Sequence, residues 1–248
     1  MNGAGVGAPP AARPEAGRRL SPWTWSDVVL SLPLIVVLGL LLGFGLVTTI
    51  VPLLPAHDHA LRTSVSSFLV SLAFYAGVVG AVVLLVTVHR RAPASALGWR
   101  PPPARWMAAA IPLAIAAYVL VVVVGGVQNA LLPADHCGQA RDVLHAYPRY
   151  HFLAVVTVTI IAPAAEETFF RGFLFGWLRG RVPQWPAVAL SALVFGLAHL
   201  QPVVLIPLFL LGCMLAIVYE RSGSLLPGIL IHGLFNLVGV TLIFSTTC

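Results

Sequence analysis

Ala165-Glu166-Glu167-Thr168-Phe169-Phe170-Arg171-Gly172 places two adjacent carboxylates and an arginine inside an otherwise apolar run, Phe152 to Leu178. A charged side chain near a bilayer centre costs ~2.5–3.5 kcal/mol on insertion scales, so such residues normally face a protein interior and act there. Only eight acidic residues occur in the 248-residue chain, which makes a neighbouring pair at this depth a strong signal. The run has the length of a membrane helix, and whether the chain is soluble or polytopic turns on whether its neighbours share that character.

They do. The chain is 59% hydrophobic and 9% charged, with mean hydropathy +0.95, whereas soluble domains carry about 25% charged residues. The expectation is an all-α polytopic membrane protein, a bundle of about seven transmembrane helices. Besides Phe152 to Leu178 the spans are Val28 to Val51, Val65 to Val88, Met107 to Val127, Ala187 to Leu200, Val203 to Tyr219 and Leu225 to Phe244. Pro202 and Pro207 mark residues 187–219 as either two full spans or a kinked or re-entrant pair. Residues 1–27 are Pro/Gly/Ala-rich and read as a disordered cytoplasmic tail, and residues 28–248 as the membrane domain. Trp23 and Trp25 suit the headgroup layer at the tail's end.

The formal charge of +6 comes from arginine alone, scattered at span ends, which argues against nucleic acid as a partner. With the tail inside, ten arginines fall on the cytoplasmic side (13, 18, 19, 90, 91, 100, 105, 179, 181 and 221) and three outside (62, 141 and 149). That bias places the N-terminus in the cytoplasm and the C-terminus outside. His57 and His59 sit in a Pro-flanked loop and read as turn residues. Residues 128–151, with Asp135, His136, Cys137, Asp142 and His145, lack metal spacing and read as a solvated loop. Cys213 is assigned to packing, and a Cys137–Cys248 disulfide is geometrically conceivable because both fall on one side.

Two later runs carry polar residues at helical spacing: Phe195-Gly196-Leu197-Ala198-His199 and His232-Gly233-Leu234-Phe235-Asn236. His232 and Asn236 share a helix face, as do Glu167 and Arg171, while Glu166 is turned about 100° from Glu167. At a rise of ~1.5 Å per residue, Glu166 lies ~20 Å from Arg179, His199 ~18 Å from Ala187, and His232 and Asn236 ~10 and ~17 Å from Leu225. These depths overlap, which predicts a shared polar cavity. A carboxylate shielded from bulk water is a competent general base near neutral pH, and histidine and asparagine donors stabilise an oxyanion. Glu167 with Arg171 suits an ion pair that supports the site.

Glu166-Glu167-xxx-Arg171, Phe195-xxx-His199 and His232-xxx-Asn236, in that order on successive spans, resemble the three motifs of the CPBP family of intramembrane proteases. That family includes type II CAAX prenyl endopeptidases and bacteriocin-processing or immunity proteins. The resemblance covers residues 152–244, the expected catalytic core, and Leu97-Gly98 is similar to the family's lead-in. It implies an intramembrane endopeptidase in which Glu166 and His199 activate a water and His232 and Asn236 form the oxyanion hole. A glutamate mechanism without a cofactor is the reading it supports better; the alternative is a metalloprotease with zinc on Glu166, His199 and His232, without the HExxH arrangement. Prenyl endopeptidases of the family carry a further helix after the last motif, whereas this sequence stops at Cys248.

The implied partners are a membrane-associated protein or peptide substrate and the lipid bilayer, and the expected location is a bacterial plasma membrane. Two other function classes fit the same residues. An ion-coupled carrier would use Glu166 and the histidines as a proton or cation relay, and would be favoured by inverted repeats, which the motifs do not form. A non-catalytic bacteriocin-immunity or scaffold protein would have no need of all four polar residues.

Overall fold

The computed structural model describes residues 21–131 and 138–245. Most of the proposed tail, and both Cys137 and Cys248, lie outside the described residues. The chain is built from helices α1 (Trp25–Ile50), α2 (His59–Val83), α3 (Ala104–Leu131) and α4 (Gly138–Ala146). A composite span follows, in which α5 (His151–Val156), α6 (Ala162–Glu167) and α7 (Gly176–Arg179) are joined by π-helical segments Thr157–Ile161 and Thr168–Phe175. It is succeeded by α8 (Gln184–Ala198), α9 (Leu205–Ser222) and α10 (Leu226–Ser245).

Among the described residues, six segments are long and apolar enough to cross a membrane: Trp25–Leu53, His59–His89, Ala104–Gln128, His151–Arg179, Pro202–Ser222 and Leu226–Ser245. The chain is an integral membrane protein. The expected fifth span is the short one. α8 has 15 residues, ~22 Å of helix against a ~30 Å hydrocarbon core, so it reaches only part of the way across. Leu200 then adopts a positive φ of 55°, and Pro202–Val204 forms a single turn before α9 descends.

Side-chain contacts define the two ends of the bundle. At one end Arg90 pairs with Asp27 at 2.8 Å, Arg179 with Glu220 at 2.8 Å, and Arg181 reaches the Trp23 carbonyl. At the other, Arg149 and Tyr150 approach Asp58, and the His151 ring stacks on Phe244 at 4.1 Å. The described residues therefore start and finish at opposite ends of the bundle. Asp58 also caps α2 by accepting from Leu61 N at 2.9 Å, so the His57–His59 loop is a helix start.

Apolar burial does not drive helices together in lipid; close packing does. α1 and α2 meet where Gly77 lies against α1, since a Cβ there would stand 2.8 Å from the Gly39 nitrogen. The far face of α1, with Leu30, Leu40 and Phe44, is exposed and faces lipid. The composite span is the centre of the bundle, buried continuously from Glu167 to Phe175.

Two expectations are corrected here. Trp23 is not a headgroup residue: it is 1% exposed, stacks on Phe173 at 5.6 Å, and donates its indole N–H to the Phe173 carbonyl at 2.9 Å. Trp25, 67% exposed, fits the interfacial role. Within residues 128–151, Gly138–Ala146 is helical rather than a solvated loop, and Tyr147 behind it is buried. Cys213 is a free thiol packed at the edge of the main apolar cluster.

Candidate active site

The local sequence explains the irregular central span. Pro163 has no N–H to give to the Thr159 carbonyl, and the Ala162 N–H bonds Thr157 O instead of Val158 O. Two carbonyls are thereby released. Asn236 donates Nδ2 to Val158 O at 2.8 Å. Gly233 lets α10 come in over the other, because a Cβ at that position would lie 2.5 Å from Thr159 O. The second π segment is completed in the same way, with Ser191 Oγ on Phe170 O at 3.1 Å and Trp23 on Phe173 O. Each loosened carbonyl thus recruits a neighbouring element, which fixes α8, α10 and the segment around Trp23 about the stretch Ala165 to Gly172.

Within that frame the two glutamates separate. Glu167 is 1% exposed and Glu166 15%. Glu167 Oε1 accepts from His232 Nδ1 at 3.1 Å and faces Arg171 NH1 at 3.0 Å. The second contact is an ion pair without hydrogen-bond alignment, since NH1 has no hydrogen-bond partner. Arg171 is fully buried, gives NH2 to the Gly212 carbonyl at 3.3 Å, and lies 4.4 Å from the Phe195 ring centroid. A desolvated guanidinium over an aromatic face is held by the ring quadrupole as well as by its carboxylate.

Glu166 has different neighbours. Its Oε1 accepts from Tyr75 of α2 at 3.1 Å, and its Oε2 stands 3.8 Å from His232 Nε2. That distance is too long for a direct hydrogen bond and suits one mediated by water. His232 is therefore gripped on one nitrogen by Glu167 and presented to Glu166 on the other. His199 caps the end of α8, its Nδ1 hydrogen-bonded to the Phe195 carbonyl at 2.9 Å. The Phe195 ring meets both imidazoles edge-on, at 5.0 Å from His199 and 5.7 Å from His232. All three motifs thus converge on one interior region, with Phe195 between the histidines.

Among the described residues no three His, Cys, Asp or Glu side chains are arranged to hold a metal ion. His232 and His199 both turn Nδ1 to other partners, which leaves Nε2 of each as the nitrogen that would face a metal. No step proposed below runs through a metal.

The Leu97-Gly98 lead-in packs on the same span: Gly98 has φ 92°, Tyr219 OH donates to Leu97 O at 3.2 Å, and a Cβ on Gly172 would lie 2.7 Å from that carbonyl. Residues 148–238 match the family model described as type II CAAX prenyl endopeptidase Rce1-like. That stretch is similar to an Rce1-like domain. It begins just before the composite span and ends inside α10, so α1 to α4 lie outside the match. A curated protein of Escherichia coli, described as an uncharacterized 24.3 kDa protein, is 36% identical over 85 residues. That alignment covers 32% of this chain and 39% of the relative, so the chain spans about two fifths of the length of the protein it matches. No solved structure matches the chain.

Tyr75 and Trp23 could not be found from motif spacing, since each acts on residues 148–238 from a distant point in the chain, and Ser191, inside that stretch, belongs to none of the three motifs. Tyr75→Phe removes the only hydrogen bond drawn to Glu166 Oε1 among the described residues. A hydrogen bond to a charged group is worth ~1.5–3 kcal/mol, so turnover is expected to fall at least about tenfold with folding unchanged. Steady-state cleavage and thermal unfolding of the same preparation check this, and full activity in Tyr75→Phe would remove Tyr75 from the site.

Proposed function

We propose that this protein is an intramembrane endopeptidase that hydrolyses a peptide bond of a membrane-associated protein or peptide by glutamate-activated water. The observation that carries this reading is the unequal pair: Glu167 is sealed against Arg171 and His232, while Glu166 keeps partial exposure and one carboxylate oxygen facing His232 Nε2. With its Nδ1 hydrogen donated to Glu167, a neutral His232 offers a lone pair at Nε2. A water donating one hydrogen to Glu166 Oε2 and the other to His232 Nε2 presents its own lone pair outward. Attack on the carbonyl carbon transfers the water proton to Glu166 and leaves a tetrahedral oxyanion. Collapse breaks the C–N bond, and the proton on Glu166 passes to the leaving amine.

The 3.8 Å approach favours His232, rather than His199, as the partner of Glu166 at the water. An imidazolium at His199, tied through Nδ1 to the Phe195 carbonyl, would donate Nε2–H to the oxyanion. The second amide hydrogen of Asn236, whose first is committed to Val158 O, is the other candidate donor. The bacterial plasma membrane is the proposed location, on the arginine asymmetry and the Escherichia coli relative.

The test is proteolysis by the purified protein in liposomes against peptides drawn from the membrane fraction of the source cells. New N-termini are expected by mass spectrometry, with activity that survives a chelator. No cleavage, together with solute or proton flux, would replace the protease reading with a carrier; chelator loss and zinc-dependent recovery would replace the glutamate mechanism with a metal one.

A further inference from the structure

We propose that the cavity at the N-terminal end of the bundle binds the phosphate of an anionic phospholipid headgroup. The cavity measures about 510 Å³ and lies between the Ser95–Arg100 connector, the end of the composite span and the α9–α10 turn. Arg100, Arg179 and Arg221 line it against one carboxylate, Glu220, which leaves an excess of two positive charges.

Two of these guanidiniums are fixed in the wall. Arg179 gives Nε to Glu220 Oε1 at 2.8 Å, while its NH1 is buried with no hydrogen-bond partner. The Arg179 side chain as a whole keeps 18% exposure and lines the cavity, so its charge is presented there. Arg100 gives Nε to the Gly223 carbonyl. Gly223 closes α9 at φ 67°, and a Cβ there would lie 2.5 Å from Arg100 NH2, so glycine is what lets the guanidinium sit against the turn. Arg221 is exposed at the rim.

Lipid is favoured over a free phosphate by position. This is the arginine-rich end of the molecule, and Trp25, Trp99 and Trp185, at the same end, are all exposed as headgroup-level rings are. Phe175, Gly176 and Tyr219 supply an apolar side to the cavity against which a glycerol backbone packs. A bound phosphate would add a further tie between three segments already joined through Arg100, Tyr219 and the Arg179–Glu220 pair.

Native mass spectrometry of the full-length protein, delipidated and re-lipidated with phosphatidylglycerol or phosphatidylcholine, tests this. Wild type is expected to retain phosphatidylglycerol preferentially, and Arg179→Gln and Arg221→Gln each to weaken that preference about fivefold, the scale of one arginine at an anionic surface. Arg179→Gln also frees Glu220, so Arg221→Gln is the variant that decides if the first misfolds. Equal retention of the two lipids, or an unchanged ratio in Arg221→Gln, overturns the proposal. Full displacement of phosphatidylglycerol by millimolar inorganic phosphate overturns it too, because the site would then recognise the free anion.

Discussion

Glu166→Gln is expected to reduce peptide cleavage by about 10²–10⁴-fold, the range contributed by a positioned general base, while leaving the protein folded and membrane-inserted. The amide keeps the shape of the carboxylate and can still accept from Tyr75, which now bonds Oε1 at 3.1 Å. What it loses is the ability to take a proton from water. No buried charge is stranded by the change, because Arg171 is paired with the neighbouring Glu167 and not with Glu166. Cleavage rate and thermal unfolding measured on one detergent preparation separate chemistry from stability. The same variant expressed in cells would accumulate uncut substrate detectable among membrane peptides. Activity within twofold of wild type would exclude Glu166 as the base and, with it, the proposed mechanism.

The spans were legible because a bilayer demands long apolar helices, and the composite span from His151 to Arg179 differs from the run Phe152 to Leu178 by one residue at each end. α8 was the exception for a physical reason. Its apolar composition is that of a span, but Pro183 starts it and the positive-φ Leu200 ends it, so length and not hydropathy sets its reach. Within the site, helical phase correctly set Glu167 on Arg171 and apart from Glu166. It could not reveal that Glu167 also holds His232, because that contact joins helices 65 residues apart in the chain. Periodicity also failed to show the π segments. Phase arguments assume a uniform α-helix, and Pro163 breaks that assumption three residues before Glu166. Trp23 was misplaced because an indole at the edge of an apolar run looks interfacial unless a released carbonyl inside the bundle claims it, as Phe173 O does.

The unequal burial of the two glutamates yields the largest stability effect. Glu167→Ala is expected to destabilise the protein by about 3–5 kcal/mol, because it leaves Arg171 as an uncompensated charge in the interior. Arg171 cannot turn to water: it is fully buried, wedged between the Phe195 ring and the Gly212 carbonyl. His232 Nδ1 loses its acceptor in the same stroke, so the imidazole that faces Glu166 is no longer oriented and cleavage falls with stability. A double variant, Glu167→Leu with Arg171→Met, distinguishes the two consequences. Replacing a buried ion pair by apolar groups of similar size is often neutral, so thermal unfolding should recover toward wild type. Cleavage should not recover, since nothing then holds His232 Nδ1. Glu167→Ala unfolding at the wild-type temperature would mean that Arg171 finds another partner, and a fully active double variant would show that His232 needs no carboxylate behind it.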